Sequence, residues 1–339
     1  MATTAREMLE RVLNHKDLTA NEMEELLDSL ATGEVPPAQA GALLAALRMK
    51  GEAVPEIVGG ARMMRRHAEF IDCGGMPVVD IVGTGGDGGV SFNISTTSAF
   101  VAAGAGVTIA KHGNRAVSGK SGAADVLAAL GYNLLCDASR METSIRENGI
   151  GFLFAQKLHP IMGKIAPIRR ELGVRTIFNM LGPLANPAGA RDMVVGVYDA
   201  KLTELFAEAF RDLGAHHVLV VHGQDGLDEI SCCDSTRITE LKDGEIRSYE
   251  FFPQLLTGAA YAPEEIAGGT PKENAAITRR ILSGEEQGAP RAVVLLNAAA
   301  AIYVAGLADS IDGGVRMAAE SIDSGAAQKK LEALVEASL

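Results

Sequence analysis

The chain has 339 residues, of which 47% are hydrophobic and 22% charged, and its formal net charge at pH 7 is -12. That length can bury a large core without disulfide or metal staples, and the composition argues against intrinsic disorder. The negative charge argues against nucleic acid or an anionic membrane as a partner, because either would require a basic patch acting against the overall field. We therefore expect a protein that acts on small molecules.

The N-terminal residues MATTAREMLERVL predict an amphipathic helix, and no run of about 18 apolar residues occurs later in the chain. We therefore expect a cytoplasmic protein. The four cysteines, Cys73, Cys136, Cys232 and Cys233, include one adjacent pair but no CxxC spacing. This pattern is typical neither of a disulfide framework nor of a zinc site, so we expect buried, reduced thiols.

The N-terminal part of the chain predicts helices only, and the part that follows predicts an α/β fold. Thr19 and Glu22 form a capping-box pair, and Pro36-Pro37 precedes the helical run QAGALLAALRMK. Short apolar strands then alternate with helices, in PVVDIVG, GVTIAK, IGFLFA, MVVGVY and HHVLVVHG. The fold class is therefore α/β, with a small all-helical domain and a larger α/β domain that has a mostly parallel central sheet.

One interval interrupts the alternation of strands and helices. Between His159 and Pro187 the chain is helical and then rich in turn-forming residues, so we expect it to leave the sheet and return. Farther on, Asp243-Gly244 predicts a hairpin, and consecutive helices follow from Pro271. The predicted domains are a helical domain at 1–72, with about 160–187 packing on it, and an α/β domain at 76–159 and 188–339.

A glycine-rich segment follows the first predicted strand. Five glycines between residues 83 and 89 precede Asn93, Ser95 and Thr96, which begin an apolar helix. Backbone N–H groups of such a loop and of a helix N-terminus together bind anions, so the segment predicts a phosphate site. It matches neither the Walker pattern nor the dinucleotide GxGxxG. A plain structural turn is the alternative.

A second polar loop follows the next predicted strand. Lys111, His112 and Asn114 come directly after that strand, and Ser118 and Gly119 precede another helix. Ligands of open α/β sheets bind at the carboxyl ends of the strands, so we expect both loops to face one pocket. Lys111 offers a positive charge to phosphate, and Asn114 offers donors and an acceptor to sugar hydroxyls or an amine. A solvated basic turn is the alternative.

Two further sets of charged residues are candidates for ligand binding. The adjacent carboxylates Asp228 and Glu229 follow the strand HHVLVVHG and a glycine turn. Mg²⁺ takes a few carboxylates together with water and substrate phosphates, so this pair is a candidate metal site, although Asp-Glu alone is commonplace. Arg169, in the interval that leaves the sheet, is a candidate for binding a substrate carboxylate. Its spacing alone favours a surface arginine paired with a glutamate.

Five motifs occur in order along nearly the whole chain: GTGGD at 83–87, NIST at 93–96, KHGNR at 111–115, RTIFNMLGPLANP at 175–187 and DGLDEIS at 225–231. Together they resemble the anthranilate phosphoribosyltransferase family. The resemblance implies a homodimer that transfers the phosphoribosyl group of phosphoribosyl pyrophosphate to the amine of anthranilate, releasing pyrophosphate, in tryptophan biosynthesis. It also implies magnesium, bound with phosphoribosyl pyrophosphate in a cleft between the two domains.

The resemblance implies a role for each matching residue. For phosphoribosyl pyrophosphate these are Gly83, Gly86, Asp87, Asn93, Ser95, Thr96, Lys111, Ser118 and Gly119, the last through its backbone N–H. For anthranilate they are Gly83, His112, Asn114, His159, Arg169 and Pro183, with Arg169 facing the carboxylate. Ser95, Asp228 and Glu229 would hold the metal. Lys111, His112 and Asn114 would be catalytic, with Lys111 neutralising the departing pyrophosphate and His112 positioning rather than acting as a base.

The implied reaction fits the residue types that are present. Displacement of pyrophosphate by an uncharged aromatic amine needs no covalent nucleophile, and the chain has no GxSxG motif. A pyrimidine nucleoside phosphorylase, which shares the architecture and a related glycine loop, is disfavoured by KHGNR and RTIFNMLGPL. A nucleic-acid-binding relative of the same fold is disfavoured by the net charge of -12.

Overall fold

The computed structural model describes residues 4–86, 91–116 and 119–339. Four helices come first and form what we call the helical module: α1 (Ala5–Leu13), α2 (Ala20–Thr32), α3 (Pro37–Lys50) and α4 (Val54–Arg66). The predicted capping box begins α2, since the Thr19 N–H donates to the Glu22 carboxylate over 2.9 Å and the Thr19 hydroxyl accepts the Glu22 N–H. Pro37 is the first residue of α3, as predicted.

A seven-stranded sheet forms the centre of the rest of the chain, in the order β3-β2-β1-β4-β5-β6-β7. Its strands are β1 (Val79–Gly83), β2 (Ile109–Gly113), β3 (Ile150–Phe154), β4 (Asp192–Gly196), β5 (His217–Gly223), β6 (Thr236–Lys242) and β7 (Glu245–Phe251). The first five strands are parallel, whereas β6 and β7 are antiparallel to their neighbours. The predicted mostly parallel sheet is therefore confirmed.

The predicted hairpin joins β6 to β7. Asp243 and Gly244 have φ of 51° and 85°, the positive values that a two-residue hairpin turn requires and that an Asp-Gly pair adopts readily. The five parallel strands have buried apolar side chains on both faces, because helices cover both sides of the sheet.

The remaining helices are α5 (Ile94–Gly104), α6 (Ala123–Leu130), α7 (Ala138–Asn148), α8 (Ala155–Leu158), α9 (Met162–Leu172), α10 (Phe178–Leu181), α11 (Leu202–Asp212), α12 (Gln254–Thr257), α13 (Pro271–Leu282), α14 (Ala289–Val304), α15 (Ile311–Asp323) and α16 (Ala326–Ser338). Short 3₁₀ turns occur at Gly182–Leu184 and Pro263–Ile266. Helix α14 is apolar around most of its circumference and packs against α5 and α15, as expected of a helix inside the core. No helix in the described ranges is long and apolar enough to span a bilayer.

The interval from His159 to Pro187 leaves the sheet, as predicted, and contains α9 and α10 but no strand. Helix α9 contacts α2 and α3, and α10 contacts α4, so both helices lie against the helical module. Two arginines of that module reinforce the contact. The Arg65 Nε donates to the carbonyl of Leu184 over 2.7 Å, and Arg48 donates to the carbonyl of Arg175 over 2.9 Å. The predicted domain boundaries themselves stay a prediction.

All four cysteines are unpaired thiols, as predicted. Cys73, Cys136 and Cys232 are buried, whereas Cys233 is half-buried. Burial raises the pKa of the Cys73 thiol to about 11 and also raises that of Cys232, so these groups are protonated and unreactive at neutral pH. They contribute packing rather than chemistry.

Candidate active site

A cavity of about 1060 Å³ opens at the carboxyl edge of the sheet. It lies where β1 and β2 end, where α5 begins, and where α9 and the segment after it face the sheet. Parallel strands bring the residues that follow them to this one edge, which is why residues distant in sequence meet here. The predicted site residues that line the cavity are Gly83, Gly86, Asn93, Ser95, Thr96, Lys111, His112, Asn114, Gly119, Arg169, Asp228 and Glu229.

Two of the other predicted site residues, His159 and Pro183, do not line the cavity. Asp87 and Ser118 fall outside the described residues. The ring of His159 lies 5.0 Å from that of His112, and Pro183 follows Gly182, whose carbonyl oxygen is 3.2 Å from the His112 Nδ1. His159 and Pro183 therefore form a layer behind His112 instead of the cavity surface.

Two glycines at the sheet edge make room for the loop that carries Asp228 and Glu229. Gly83 ends β1 and is paired with Gly196, which ends β4. A Cβ on Gly83 would lie 2.3 Å from the Asp228 Oδ2, and a Cβ on Gly196 would lie 1.6 Å from the Asp228 carbonyl oxygen. The Gly85 N–H also donates to the Asp228 Oδ2 over 2.8 Å. The predicted phosphate loop and the predicted metal site are thus in direct contact.

The N-terminus of α5 meets the same loop. The Ser95 N–H donates to the Glu229 Oε1 over 3.1 Å, and the Lys111 Nζ donates to the Ser95 Oγ over 3.3 Å. Lys111 is buried and also donates to the carbonyl of Ile81. Its burial lowers the pKa of its ammonium group, while the carboxylates of Asp80, Glu229 and Asp228 act in the opposite direction. Ser95, in the first turn of α5, therefore bonds both to Glu229 and to the ammonium group of Lys111.

Asn93 occupies the position before α5, and its side chain is already bonded within the protein. Its Oδ1 accepts from the Ser121 Oγ and from the Asn274 Nδ2, each over 3.0 Å, and its Nδ2 donates to the carbonyl of Ser121. Sequence reasoning missed Ser121 and Asn274, which hold Asn93 at the cavity. Thr96 is buried, and its Oγ1 has no hydrogen-bond partner in the described part of the chain.

The histidines of the site are uncharged at neutral pH. Burial, with a further contribution from His159, lowers the pKa of His112 to about 3. Burial lowers the pKa of His159 to about 4. The Nε2 of His112 is buried and has no hydrogen-bond partner among the described residues. An imidazole with so low a pKa is a weak base, which agrees with a positioning role for His112.

Arginines from the interval that leaves the sheet form the opposite wall. Arg169 of α9 lies over the ring of Phe178, with 5.7 Å between the guanidinium carbon and the ring centroid, and burial lowers its pKa. Arg175 stacks on Tyr198 at 3.9 Å and donates to the carbonyl of Gly85 over 3.4 Å. Arg175 stands in one of the five motifs, yet sequence reasoning gave it no role.

The carboxylates suit a metal that binds together with a substrate. The described ranges contain no group of three or more His, Cys, Asp or Glu side chains that could hold a metal ion. Asp228 and Glu229 would supply two of the few protein ligands that Mg²⁺ needs, because water and substrate phosphates complete its octahedron. The pair fits magnesium, and it lies beside the helix N-terminus expected to bind phosphate.

Comparison with known proteins matches both parts of the chain. The a/b domain model of the glycosyl transferase family matches residues 75–328, and the helical bundle domain model of that family matches residues 6–68. The anthranilate phosphoribosyltransferase of Desulfosudis oleivorans is 52% identical over 97% of this chain and 97% of its own length. That of Syntrophobacter fumaroxidans is 52% identical over 96% and 97%. The chain belongs to the anthranilate phosphoribosyltransferase family.

Solved structures of the anthranilate phosphoribosyltransferase family have the same fold. The Thermus thermophilus enzyme has a TM-score of 0.92 and 44% identity, with coverage of 97% of this chain and 98% of that one. The Saccharomyces cerevisiae enzyme in complex with phosphoribosyl pyrophosphate and Mg has a TM-score of 0.90 and 28% identity, with coverage of 100% and 98%. The predicted family and the predicted pairing of a helical part with an α/β part are confirmed.

Proposed function

We propose that this chain transfers the phosphoribosyl group from phosphoribosyl pyrophosphate to the amine of anthranilate, giving phosphoribosyl-anthranilate and pyrophosphate in tryptophan biosynthesis. The observation that carries the proposal is the convergence of three features on one cavity: the glycine turn with the N-terminus of α5, Lys111, and the Asp228-Glu229 pair. The first two bind anions, and the third suits magnesium. Membership of the anthranilate phosphoribosyltransferase family indicates that the acceptor is anthranilate.

The sheet edge would hold phosphoribosyl pyrophosphate. The backbone of Gly83 and Gly86, the first turn of α5 with Ser95 and Thr96, and Lys111 face the cavity from this side, together with Asn93 and Gly119. Because Asn93 is held by Ser121 and Asn274, its orientation is set before substrate arrives. Asp87 and Ser118 are proposed for the same substrate from the family motifs alone.

The opposite wall would hold anthranilate. Arg169 projects into the cavity, and a guanidinium group binds a carboxylate with two parallel hydrogen bonds. His112 and Asn114 face it from the end of β2, with His159 and Pro183 packed behind His112. This arrangement directs the amine of anthranilate towards the sheet edge, where the ribose of the other substrate would lie.

The reaction is a displacement at C1 of the ribose, with inversion and an oxocarbenium-like transition state. The attacking amine is uncharged at neutral pH, so it needs only to lose a proton during or after attack. Magnesium, when bound, neutralises charge on the leaving pyrophosphate. Lys111 does the same from a buried position, where its charge acts more strongly than it would in water. The remaining residues hold the two substrates in line.

The activity is tested by the loss of anthranilate fluorescence when phosphoribosyl pyrophosphate and magnesium are added, with each omitted in turn. The variant Asp228→Ala/Glu229→Ala should show no turnover even at saturating magnesium. The matched control is Glu332→Ala/Glu336→Ala, which removes two exposed carboxylates from α16 and should turn over like the unmodified chain. A fully active Asp228→Ala/Glu229→Ala variant would reject the metal assignment. Phosphorolysis of thymidine or uridine would instead favour a nucleoside phosphorylase.

We also propose, from the family resemblance, that the chain forms a homodimer and acts in the cytoplasm. Light scattering coupled to size-exclusion chromatography should give twice the chain mass of 35.4 kDa. A monomer that turns over at the full rate would reject the dimer without affecting the proposed reaction.

A further inference from the structure

Asp80 is a buried carboxylate directly beneath the cavity. It lies in β1, is fully buried, and does not belong to the cavity lining. Its Oδ1 accepts the backbone N–H of His112 over 3.0 Å, and its Oδ2 accepts the Nδ2 of Asn186 over 2.8 Å. One side chain thus connects β1, the end of β2, and the segment that returns to the sheet.

The position of Asp80 explains why a carboxylate is needed inside the sheet. Strand β1 pairs with β4 at five positions but with β2 at one, Val79 with Ile109. Beyond Ile109, the His112 N–H therefore bonds to the Asp80 side chain in place of a main-chain acceptor of β1. An unmatched buried N–H is costly, and the carboxylate removes that cost.

Asn186 extends this contact to what we call the acceptor wall, the side of the cavity that contains Arg169 and would hold anthranilate. It is buried, and its Nδ2 donates both to Asp80 and, over 2.9 Å, to the carbonyl of Ala110 in β2. Its Oδ1 accepts the N–H of Ala188 over 2.8 Å. The segment that contains Pro183 is therefore tied to β1 and β2 immediately behind the cavity.

We propose that Asp80 is a positioning residue for the transfer reaction, which fixes the main chain of His112 and sets the acceptor wall through Asn186. This inference rests on the proposed function. Asp80 touches neither substrate. It acts by holding both halves of the cavity at a fixed separation, so its loss should lower the rate more than the affinity for either substrate.

The test is Asp80→Asn, which keeps the shape of the side chain but removes its charge and turns an amide NH₂ towards one of two buried donors. Misplacement of about 1 Å in the groups that Asp80 holds can cost about 100-fold in rate, so kcat should fall by roughly 10- to 100-fold while KM for anthranilate changes less than about threefold. The matched control is Glu240→Gln. Glu240 is also a fully buried sheet carboxylate, bonded to His217 and Tyr303 away from the cavity. The Glu240→Gln variant should have a lower Tm than the unmodified chain and the same kcat.

A double-mutant cycle shows whether Asp80 and Asn186 act as one unit. If they do, the Asp80→Asn/Asn186→Ala double variant should be slowed by less than the product of the two single effects. Effects that multiply in full would overturn the proposal. Should Asp80→Asn fold poorly, Asn186→Ala tests the same contact with the carboxylate intact, and kcat should fall about 3- to 10-fold.

The outcomes separate the two proposals. An unmodified chain that does not consume anthranilate would defeat the proposed function. An active unmodified chain together with a kcat of Asp80→Asn equal to that of Glu240→Gln would overturn the role of Asp80 alone. Unchanged kcat in Asn186→Ala would have the same consequence.

Discussion

Gly196 is the position where one added methyl group should most disturb the Asp228-Glu229 loop. The Cβ of Gly196→Ala would lie 1.6 Å from the Asp228 carbonyl oxygen and 2.4 Å from its carbonyl carbon. These are main-chain atoms and cannot rotate away. To reach even the 3.0 Å that real Cβ atoms keep, the loop or the end of β4 must shift by about 1.4 Å.

A shift of that size acts on both stability and rate. Overpacking of this kind costs roughly 1–3 kcal/mol of unfolding free energy, so the Tm should fall by several degrees. A misplacement of about 1 Å in a positioning group can cost about 100-fold in rate, so kcat/KM for phosphoribosyl pyrophosphate should fall by about that factor. The magnesium concentration for half-maximal rate should rise, because the carboxylates move with the loop.

Anthranilate fluorescence measured over a magnesium titration, with Tm from calorimetry, tests both effects. The matched control is Gly313→Ala in α15, where the nearest atom to the added Cβ is 3.5 Å away and the site is remote from the cavity. Its rate and magnesium dependence should equal those of the unmodified chain. If Gly196→Ala keeps the normal rate and magnesium dependence, the sheet edge does not position the metal loop and the reasoning is wrong.

Two more predictions concern the acceptor wall. Arg169→Ala should raise KM for anthranilate far more than KM for phosphoribosyl pyrophosphate, because in the proposed function its guanidinium would face the carboxylate of anthranilate only. Steady-state kinetics with equal effects on both KM values would reject this role. His112 and His159 are neutral in the folded chain, with pKa values of about 3 and about 4, but the unfolded chain protonates them near 6.5. The unfolded state therefore binds more protons below pH 6.5, and each histidine should lower stability by up to about 1.4 kcal/mol per pH unit as pH falls towards 4. Burial raises the pKa of Asp80 to about 6, so between pH 6 and 4 the folded chain binds one more proton at Asp80 than the unfolded chain does. This offsets the loss of stability caused by about one of the two histidines. Urea unfolding at pH 7 and 5 measures the difference, and a His112→Ala/His159→Ala variant that keeps the full decline would contradict the assignment.

Much of the fold could be predicted because its signals are local. The Asp243-Gly244 turn requires two positive φ values, and the residues themselves make those values inexpensive. The capping box at Thr19 and Glu22 is likewise contained in four residues. The parallel strands were recognisable as short apolar runs, since both of their faces are buried.

Asp80 could not be predicted by the same reasoning. In the run PVVDIVG it is a single polar residue in an apolar strand, and nothing local indicates which groups it meets. Its partner Asn186 is 106 residues away, and the contact exists only because the segment from His159 to Pro187 returns across β1 and β2. Contacts of this kind depend on tertiary structure, which strand and turn signals do not specify.

The residues of the site likewise divide into those that local sequence signals predict and those that depend on tertiary contacts. Residues at the carboxyl ends of strands or in the loops that follow them, such as Lys111 and Asp228, were predictable because parallel topology brings those positions to one edge. Which residues form the cavity surface and which lie behind it was not predictable. A motif match places His159 and Pro183 near the acceptor but cannot show that they lie behind His112. Arg175 was overlooked because its stacking on Tyr198 is a tertiary contact.

The charges around the cavity indicate how an acidic protein can take a strongly anionic substrate. The described basic residues that line the cavity are Lys111, Arg115, Arg169, Arg170 and Arg175, and the acidic ones are Asp228 and Glu229. The basic residues attract phosphates locally although the chain carries a net charge of -12. The two carboxylates add negative charge beside the same phosphates, and a divalent cation bound there would offset it. Binding of phosphoribosyl pyrophosphate and of magnesium should therefore be coupled, because each removes the electrostatic penalty that the other would meet alone.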